Sequence, residues 1–93
     1  MWFQVKRRET NRVRNIKGKV ISRRHEYYIV VWRLFKRREY LRLLPGWMEQ
    51  LDAGKPCNVE LTRARYNATV FPEKAMADTV AYFLKHQPDN YIL

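Results

Sequence analysis

The basic side chains of this sequence are the ones best suited to bind a partner, because most of them lie in its first half. Residues 1–45 hold 14 Lys and Arg against 3 Glu, a formal charge of +11, whereas residues 46–93 hold 5 against 6 Asp and Glu, a formal charge of −1. A charge distribution this one-sided attracts an anionic partner, and nucleic acid is the commonest such partner. Ten of the 14 are Arg, whose planar guanidinium grips phosphate with two hydrogen bonds and stacks on bases.

The candidate phosphate contacts fall in two clusters. The larger lies within residues 6–24, where Glu9 is the only acid, and the smaller follows the most apolar segment of the chain. Aromatic residues interleave with both clusters, and an exposed ring can stack on an unpaired base at about 1–3 kcal/mol. The predicted nucleic-acid contacts are Arg7, Arg8, Arg12, Arg14, Lys17, Lys19, Arg23, Arg24, Arg37 and Arg38, with Trp2 and Tyr27 as candidate stacking residues.

Side chains suited to catalysis or metal binding are few and widely spaced. Cys57, His25 and His86 are the only Cys and His residues, and their spacing matches no zinc site. Glu49 and Asp52 could share a helical face, but we interpret them as surface charge. The sequence has no Gly-rich phosphate loop and no recognised nucleic-acid-binding motif. We therefore expect no catalytic residue, no metal site and no cofactor, and predict that the protein is not an enzyme.

Length and composition predict one domain, residues 1–93. Its basic, strand-rich part is residues 1–45, and its near-neutral part, with a strand and a helix, is residues 46–93. The chain is 46% hydrophobic, which favours a packed core over disorder. The longest apolar run, Tyr27–Trp32, is far shorter than the ~20 residues that cross a bilayer. We expect a cytoplasmic protein with no membrane partner.

The strand predictions centre on Tyr27–Phe35, which is built almost wholly from β-branched and aromatic residues. Its even and odd positions are both mainly apolar, so we expect a central strand that is partly covered on both faces. Trp2–Arg8 alternates like a strand, with Phe3, Val5 and Arg7 on one face. Lys19–Arg23 is a weaker candidate that could pair with the central strand through a turn at Arg24-His25.

The remaining segments predict a return strand, a short helical turn, further strand and one long helix. Asn58–Thr62 and Arg65–Val70 both alternate like strands, as one bent strand or a tight hairpin. Phe71-Pro72-Glu73 opens the clearest helix and Pro88 ends it. This order, several strands followed by one helix, predicts an α+β fold. It would be an antiparallel sheet of four to five strands with one C-terminal amphipathic helix packed on a face. Tyr40–Leu44 is the predicted return strand and Trp47–Leu51 the predicted helical turn.

The leading functional interpretation is a non-catalytic nucleic-acid-binding protein that grips the phosphates of DNA or RNA through its Arg- and Lys-rich sheet and N-terminal region. In size and layout the chain is similar to many small phage and mobile-element accessory proteins. That likeness implies an alternative, in which the charge binds, and inhibits, an acidic host protein or a nucleoprotein. A second alternative is a structural or oligomerisation module, because a two-faced apolar strand could support a homodimer.

Overall fold

The computed structural model describes residues 1–88, 91 and 92, with the side chains of residues 10–14 and 20–23 outside that description. The described residues form four strands and two α-helices. These are β1 (Trp2–Arg14), β2 (Val20–Trp32), β3 (Glu39–Leu43), α1 (Trp47–Asp52), β4 (Val59–Thr62) and α2 (Lys74–His86), with a 3₁₀ turn at Arg65–Asn67. The strands form one antiparallel sheet in the order β1-β2-β3-β4. The predicted α+β class and four-stranded antiparallel sheet are confirmed.

The hairpin of β1 and β2 is the longest feature of the fold. Trp2 lies opposite Trp32 at one end and Arg14 opposite Val20 at the other, with 13 residues in each strand. A bulge interrupts the pairing between Glu9 and Asn11, and such an insertion bends the strand and increases its twist. β-Branched and aromatic side chains favour the extended backbone of β2.

The core lies on the face of the sheet that carries the odd-numbered residues of β2 and β3. Ile29 and Val31 of β2 are fully buried, and Leu41 of β3 lies beside them. Phe71 and three residues of α2 belong to the same buried cluster. The buried cluster consists of Ile29, Val31, Leu41, Leu43, Val59, Phe71, Ala77, Val80 and Leu84.

A short extended segment bridges the strands where β2 and β3 diverge. Phe71 N donates to Tyr27 O at 2.7 Å, and Tyr27 N donates back to Phe71 O at 2.9 Å. Thr69 N donates to Leu41 O of β3 at 3.0 Å. Residues 69–71 therefore supply hydrogen-bond partners to backbone groups of both strands, at the place where β2 and β3 no longer pair with each other.

Two strand predictions are wrong. Lys19–Arg23 does not pair with the central strand through a turn at Arg24-His25, because both segments belong to one continuous strand, β2, whose partner is β1. The turn lies instead at residues 15–19, where the sequence supplies Asn15 and Gly18, the residue types that tight turns favour. The segment Arg65–Val70 is also not a strand, since its first three residues form a 3₁₀ turn.

The end of the central strand also differs from the prediction. β2 stops at Trp32, so Leu34 and Phe35 lie in the exposed connection to β3. The return strand, the short helix and the long helix form close to their predicted bounds. Within the described part of the chain, neither helix has the length and apolar character that crossing a membrane requires.

The principal dimensions are 53 × 34 × 19 Å, so the molecule is elongated. The β1–β2 hairpin accounts for this shape because it continues past the rest of the sheet. Between the β1–β2 turn and the Tyr27–Phe71 bridge, the described part of β2 pairs only with β1. At about 3.3 Å per residue, residues 20–26 carry the hairpin about 20 Å beyond the rest of the sheet.

Candidate nucleic-acid interface

The projecting end of the hairpin, residues 10–25, is named here the ribbon arm. Its 16 residues include six Lys and Arg and no Asp or Glu. Two backbone strands side by side form its scaffold, and the major groove of B-form DNA is wide enough to admit such a two-stranded ribbon. The arm thus presents positive charge on a narrow support, whose described strand pairing is between β1 and β2 alone.

The end of the arm is a tight, hydrogen-bonded turn. Asn15 N donates to Lys19 O at 2.8 Å, and Gly18 N donates to Asn15 O at 2.9 Å. The Asn15 side-chain Oδ1 accepts from Lys17 N at 3.0 Å and from Lys19 N at 2.9 Å. Gly18 has φ of +81°, a conformation that glycine adopts at no steric cost. The turn holds the exposed Lys17 and Lys19 at the arm's end.

Acidic residues occur at the base of the arm. Arg8 and Glu26, which lie opposite each other in β1 and β2, form an ion pair. Glu9 lies opposite His25 one position further along. The carboxylates therefore bracket the arm in sequence, and Arg8 already has a carboxylate partner.

The sheet face opposite the core is named the open face. It carries aromatic rings and cations. It is formed by the even-numbered residues of β2 and β3 together with their partners in β1 and β4. Trp2 stacks on Trp32 with ring centroids 6.4 Å apart and an interplanar angle of 21°. Trp32 Nε1 donates to Gln4 Oε1 at 2.9 Å, which fixes the orientation of the indole. Trp2 remains 57% exposed, so its outer surface can contact a ligand.

Arginines lie over several rings of the open face. The Arg38 guanidinium carbon is 5.8 Å from the Trp32 ring centroid and 5.5 Å from that of Tyr40, and Arg65 lies 5.8 Å from Tyr28. Such cation–π contacts hold a guanidinium in place while its N–H groups stay available to an anion. Val30 lies between Tyr28 and Trp32 on this face and opposite Tyr40, and it is fully buried although it is outside the main core.

The connection from β2 to β3 adds an exposed apolar and basic loop. Phe35 is 97% exposed and has φ of 60°, a left-handed conformation that is uncommon for a residue with a bulky side chain. Lys36, Arg37 and Arg38 follow it and are all exposed. Arg33 is paired with Glu39, the single buried charged residue in the described chain. The loop is thereby tied to the start of β3.

The predicted contacts occupy three regions rather than one patch. Lys17, Lys19 and Arg24 are exposed on the arm, and Arg37 and Arg38 are exposed at the far end of β2, about 40 Å away along the strand. Arg7 is exposed but lies on the core side of β1, opposite Tyr27, whereas the paired Arg8 lies on the open face. The side chains of Arg12, Arg14 and Arg23 lie outside the described residues, although their backbones form the arm.

The two candidate stacking residues differ in their surroundings. Trp2 is exposed on the open face, as its strand alternation indicated. Tyr27 is partly buried against the core, and its backbone bonds Phe71, so its ring has a structural role. Trp32 and Tyr40 belong to the aromatic residues that interleave with the basic clusters, and Arg42 belongs to the second of those clusters. Sequence reasoning missed the open-face position of Arg65, which was assigned to a strand that does not form.

Of the residues weighed for catalysis or metal binding, Cys57 and His86 line the same cavity, whereas His25 lies opposite Glu9 at the base of the arm. Cys57 is buried, and burial raises the pKa of its thiol, which makes it a poor nucleophile. Its backbone is held by Gln87, whose Oε1 accepts from Cys57 N at 3.0 Å and whose Nε2 donates to Cys57 O at 2.9 Å. In the described part of the chain no three His, Cys, Asp or Glu residues converge as metal ligands.

Comparison of the chain with models of protein families, with curated proteins and with solved structures gave no match.

Proposed function

We propose that this protein binds nucleic acid without catalysis, contacting phosphates through the ribbon arm. The observation that carries the proposal is the charge of residues 10–25, with six Lys and Arg and no acid on a narrow two-stranded projection. Each phosphate that a cation neutralises releases condensed counterions, and this release drives binding. The exposed arm residues Lys17, Lys19 and Arg24 lead the proposed contacts, with Arg12, Arg14 and Arg23 as the further arm cations.

The open face is proposed as the second contact surface. Arg37 and Arg38 would meet phosphates at its end, and the outer surface of Trp2 would stack on an unpaired base. Arg8 is proposed to stabilise the base of the arm through Glu26 instead of contacting phosphate. The amphipathic helix α2 is proposed to serve as a structural support packed on the opposite face, with Ala77, Val80 and Leu84 in the core.

Fluorescence anisotropy against single- and double-stranded DNA and RNA, each over a series of salt concentrations, tests the proposal. Six phosphate contacts on duplex DNA would give a slope of log affinity against log salt of about −5. Lys17→Glu/Lys19→Glu should weaken binding at least about tenfold and reduce the slope to about −3, because two contacts are lost. Both side chains are exposed, so the melting temperature should not change.

Lys55→Glu/Lys85→Glu is the matched control, because it makes the same change in net charge at two exposed residues outside the arm and the open face. It should alter affinity less than about threefold, since distant surface charge is screened at physiological salt. Equal losses in the two variants would contradict a role for the arm. Binding to polyglutamate but to no nucleic acid would assign the basic surface to an acidic protein partner.

A further inference from the structure

The end of the ribbon arm carries an apolar side chain that folding does not explain. Ile16 is fully exposed, between Asn15 and Lys17 in the turn that joins β1 and β2. Such turns favour Gly, Asn, Asp and Ser, and a β-branched residue restricts the backbone there. An exposed apolar side chain is ordinary by itself, but this one stands at the end of a projecting basic ribbon.

The turn that presents Ile16 is fixed by hydrogen bonds. Asn15 closes it through its backbone and its side chain, with four donor–acceptor distances of 2.8–3.0 Å. Lys17 follows Ile16 directly and Lys19 lies two residues further on, and both side chains are exposed. An apolar side chain beside two exposed cations, in a hydrogen-bonded turn, has the chemistry needed to enter a stack of bases while its neighbours contact phosphates.

Resting on the proposed function, we propose that the arm binds duplex DNA with its end in the minor groove, where Ile16 wedges between adjacent base pairs and kinks the helix. Proteins that bend DNA from the minor groove insert Ile, Leu, Met, Phe or Pro in this way. The arm projects about 20 Å, and the minor groove is about 7.5 Å deep. The arm is therefore long enough to reach the base pairs, and its end can enter the minor groove, about 6 Å wide in straight B-form DNA, as the kink opens that groove.

The six arm cations make the deformation possible. Unstacking a base step is unfavourable, and a bend is sustained only by the additional protein–phosphate contacts that it permits. Flexible pyrimidine–purine steps such as TA are kinked most easily. Ile16 should therefore prefer duplexes with a central TA step over duplexes with an uninterrupted A-tract.

The test uses a 30-base-pair DNA with a fluorophore at each end and 2-aminopurine at a central TA step. Energy transfer between the ends reports bending, and 2-aminopurine fluorescence rises when its base unstacks. The variants are Ile16→Ala, which shortens the wedge, and Ile16→Leu, which preserves its apolar volume. Ile16 is fully exposed, so both variants should fold, and thermal melts check this directly.

Wild-type protein and Ile16→Leu should raise both signals at saturation. Ile16→Ala should reduce both signals by at least half while its affinity falls less than about fivefold, because the phosphate contacts remain. Unchanged signals in Ile16→Ala, or no bending by a wild-type protein that binds the duplex, would overturn the wedge and leave the proposed function standing. An affinity for single strands at least tenfold above that for duplex would also overturn it. No binding to any nucleic acid would overturn both proposals.

Vesicles of anionic lipid serve as a competitor, because an apolar side chain beside exposed lysines could also suit such a surface. Vesicles that bind the wild type, fail to bind Ile16→Ala and displace no DNA would assign Ile16 to a lipid surface and overturn its role as a wedge. Failure of the vesicles to bind would support the wedge.

Discussion

At the residue scale, a side chain can belong to the fold and still offer a binding surface. Trp2 covers Trp32 with one face of its indole and remains 57% exposed. The Gln4 amide fixes Trp32, and Trp32 in turn positions Trp2. Sequence alternation placed Trp2 correctly on the outer face, but it could not show that Tyr27 packs against the core, because that depends on the segment around Phe71.

Replacing Trp2 with Ala should weaken binding to single-stranded DNA about 5- to 100-fold, the range expected for one stacked base. Duplex binding should fall less than about twofold, since paired bases offer no free face at this position. Anisotropy titrations with matched single and double strands measure the difference.

Tyr82→Ala is the control for the Trp2 variant, because Tyr82 is an equally exposed ring on α2, away from the open face. It should leave both affinities unchanged. If Trp2→Ala and Tyr82→Ala had the same effect on single-strand binding, stacking at Trp2 would be refuted.

At the element scale, the sequence predicted the pieces of the sheet better than their connections. The β-branched and aromatic content of residues 27–32 identified the C-terminal half of β2, since that preference is local. The polar stretch before it contains few apolar residues, so hydrophobic alternation could not show that both strands of the hairpin continue to residues 14 and 20. Arg65–Val70 alternates like a strand, but Thr69 and Phe71 bond two other strands there.

Phe35, in the loop between β2 and β3, has an unfavourable backbone conformation that a substitution can relieve. Phe35 has φ of 60°, which is unfavourable by about 1–2 kcal/mol for an L-residue with a bulky side chain, and its side chain is almost fully exposed. Asn adopts this conformation more readily. Phe35→Asn should raise the free energy of unfolding by about 0.5–1 kcal/mol, measured by urea denaturation.

Leu34→Asn is the matched substitution for the loop, since Leu34 is a neighbouring exposed residue without a positive φ. It should change the free energy of unfolding by less than about 0.5 kcal/mol. A destabilised Phe35→Asn variant would mean that the phenyl ring contributes more to the fold than its exposure indicates.

At the scale of the whole molecule, the arm and the body are separable. Among the described side chains, every residue of the buried core lies outside the segment 10–25, while six of the 19 Lys and Arg lie within that segment. The charge imbalance between the two halves of the sequence predicted a basic region. It could not predict a projection, because shape depends on how far β1 and β2 continue past β3.

Shortening the arm should therefore separate binding from folding. Asn11 and Arg24 lie directly opposite each other, so an Asn-Gly turn can replace residues 12–23 and join them. This variant should lose at least about 100-fold in affinity for duplex DNA, because five cations are removed. Its melting temperature should stay within a few degrees of the wild-type value, as followed by circular dichroism. Retained affinity would place the main contact on the body.

The position of β1 at the margin of the sheet affects how the protein can be handled. Within the residues that the structure describes, one row of its amide and carbonyl groups has no neighbouring strand, and such rows on two molecules can pair with each other. Mutual repulsion between molecules of net charge +10 opposes this in dilute buffer, but its range contracts to about 3 Å in molar electrolyte. A concentrated electrolyte wash that strips polyanions from a preparation is thus also the condition that favours precipitation, and concentrated stocks will keep best in moderate salt.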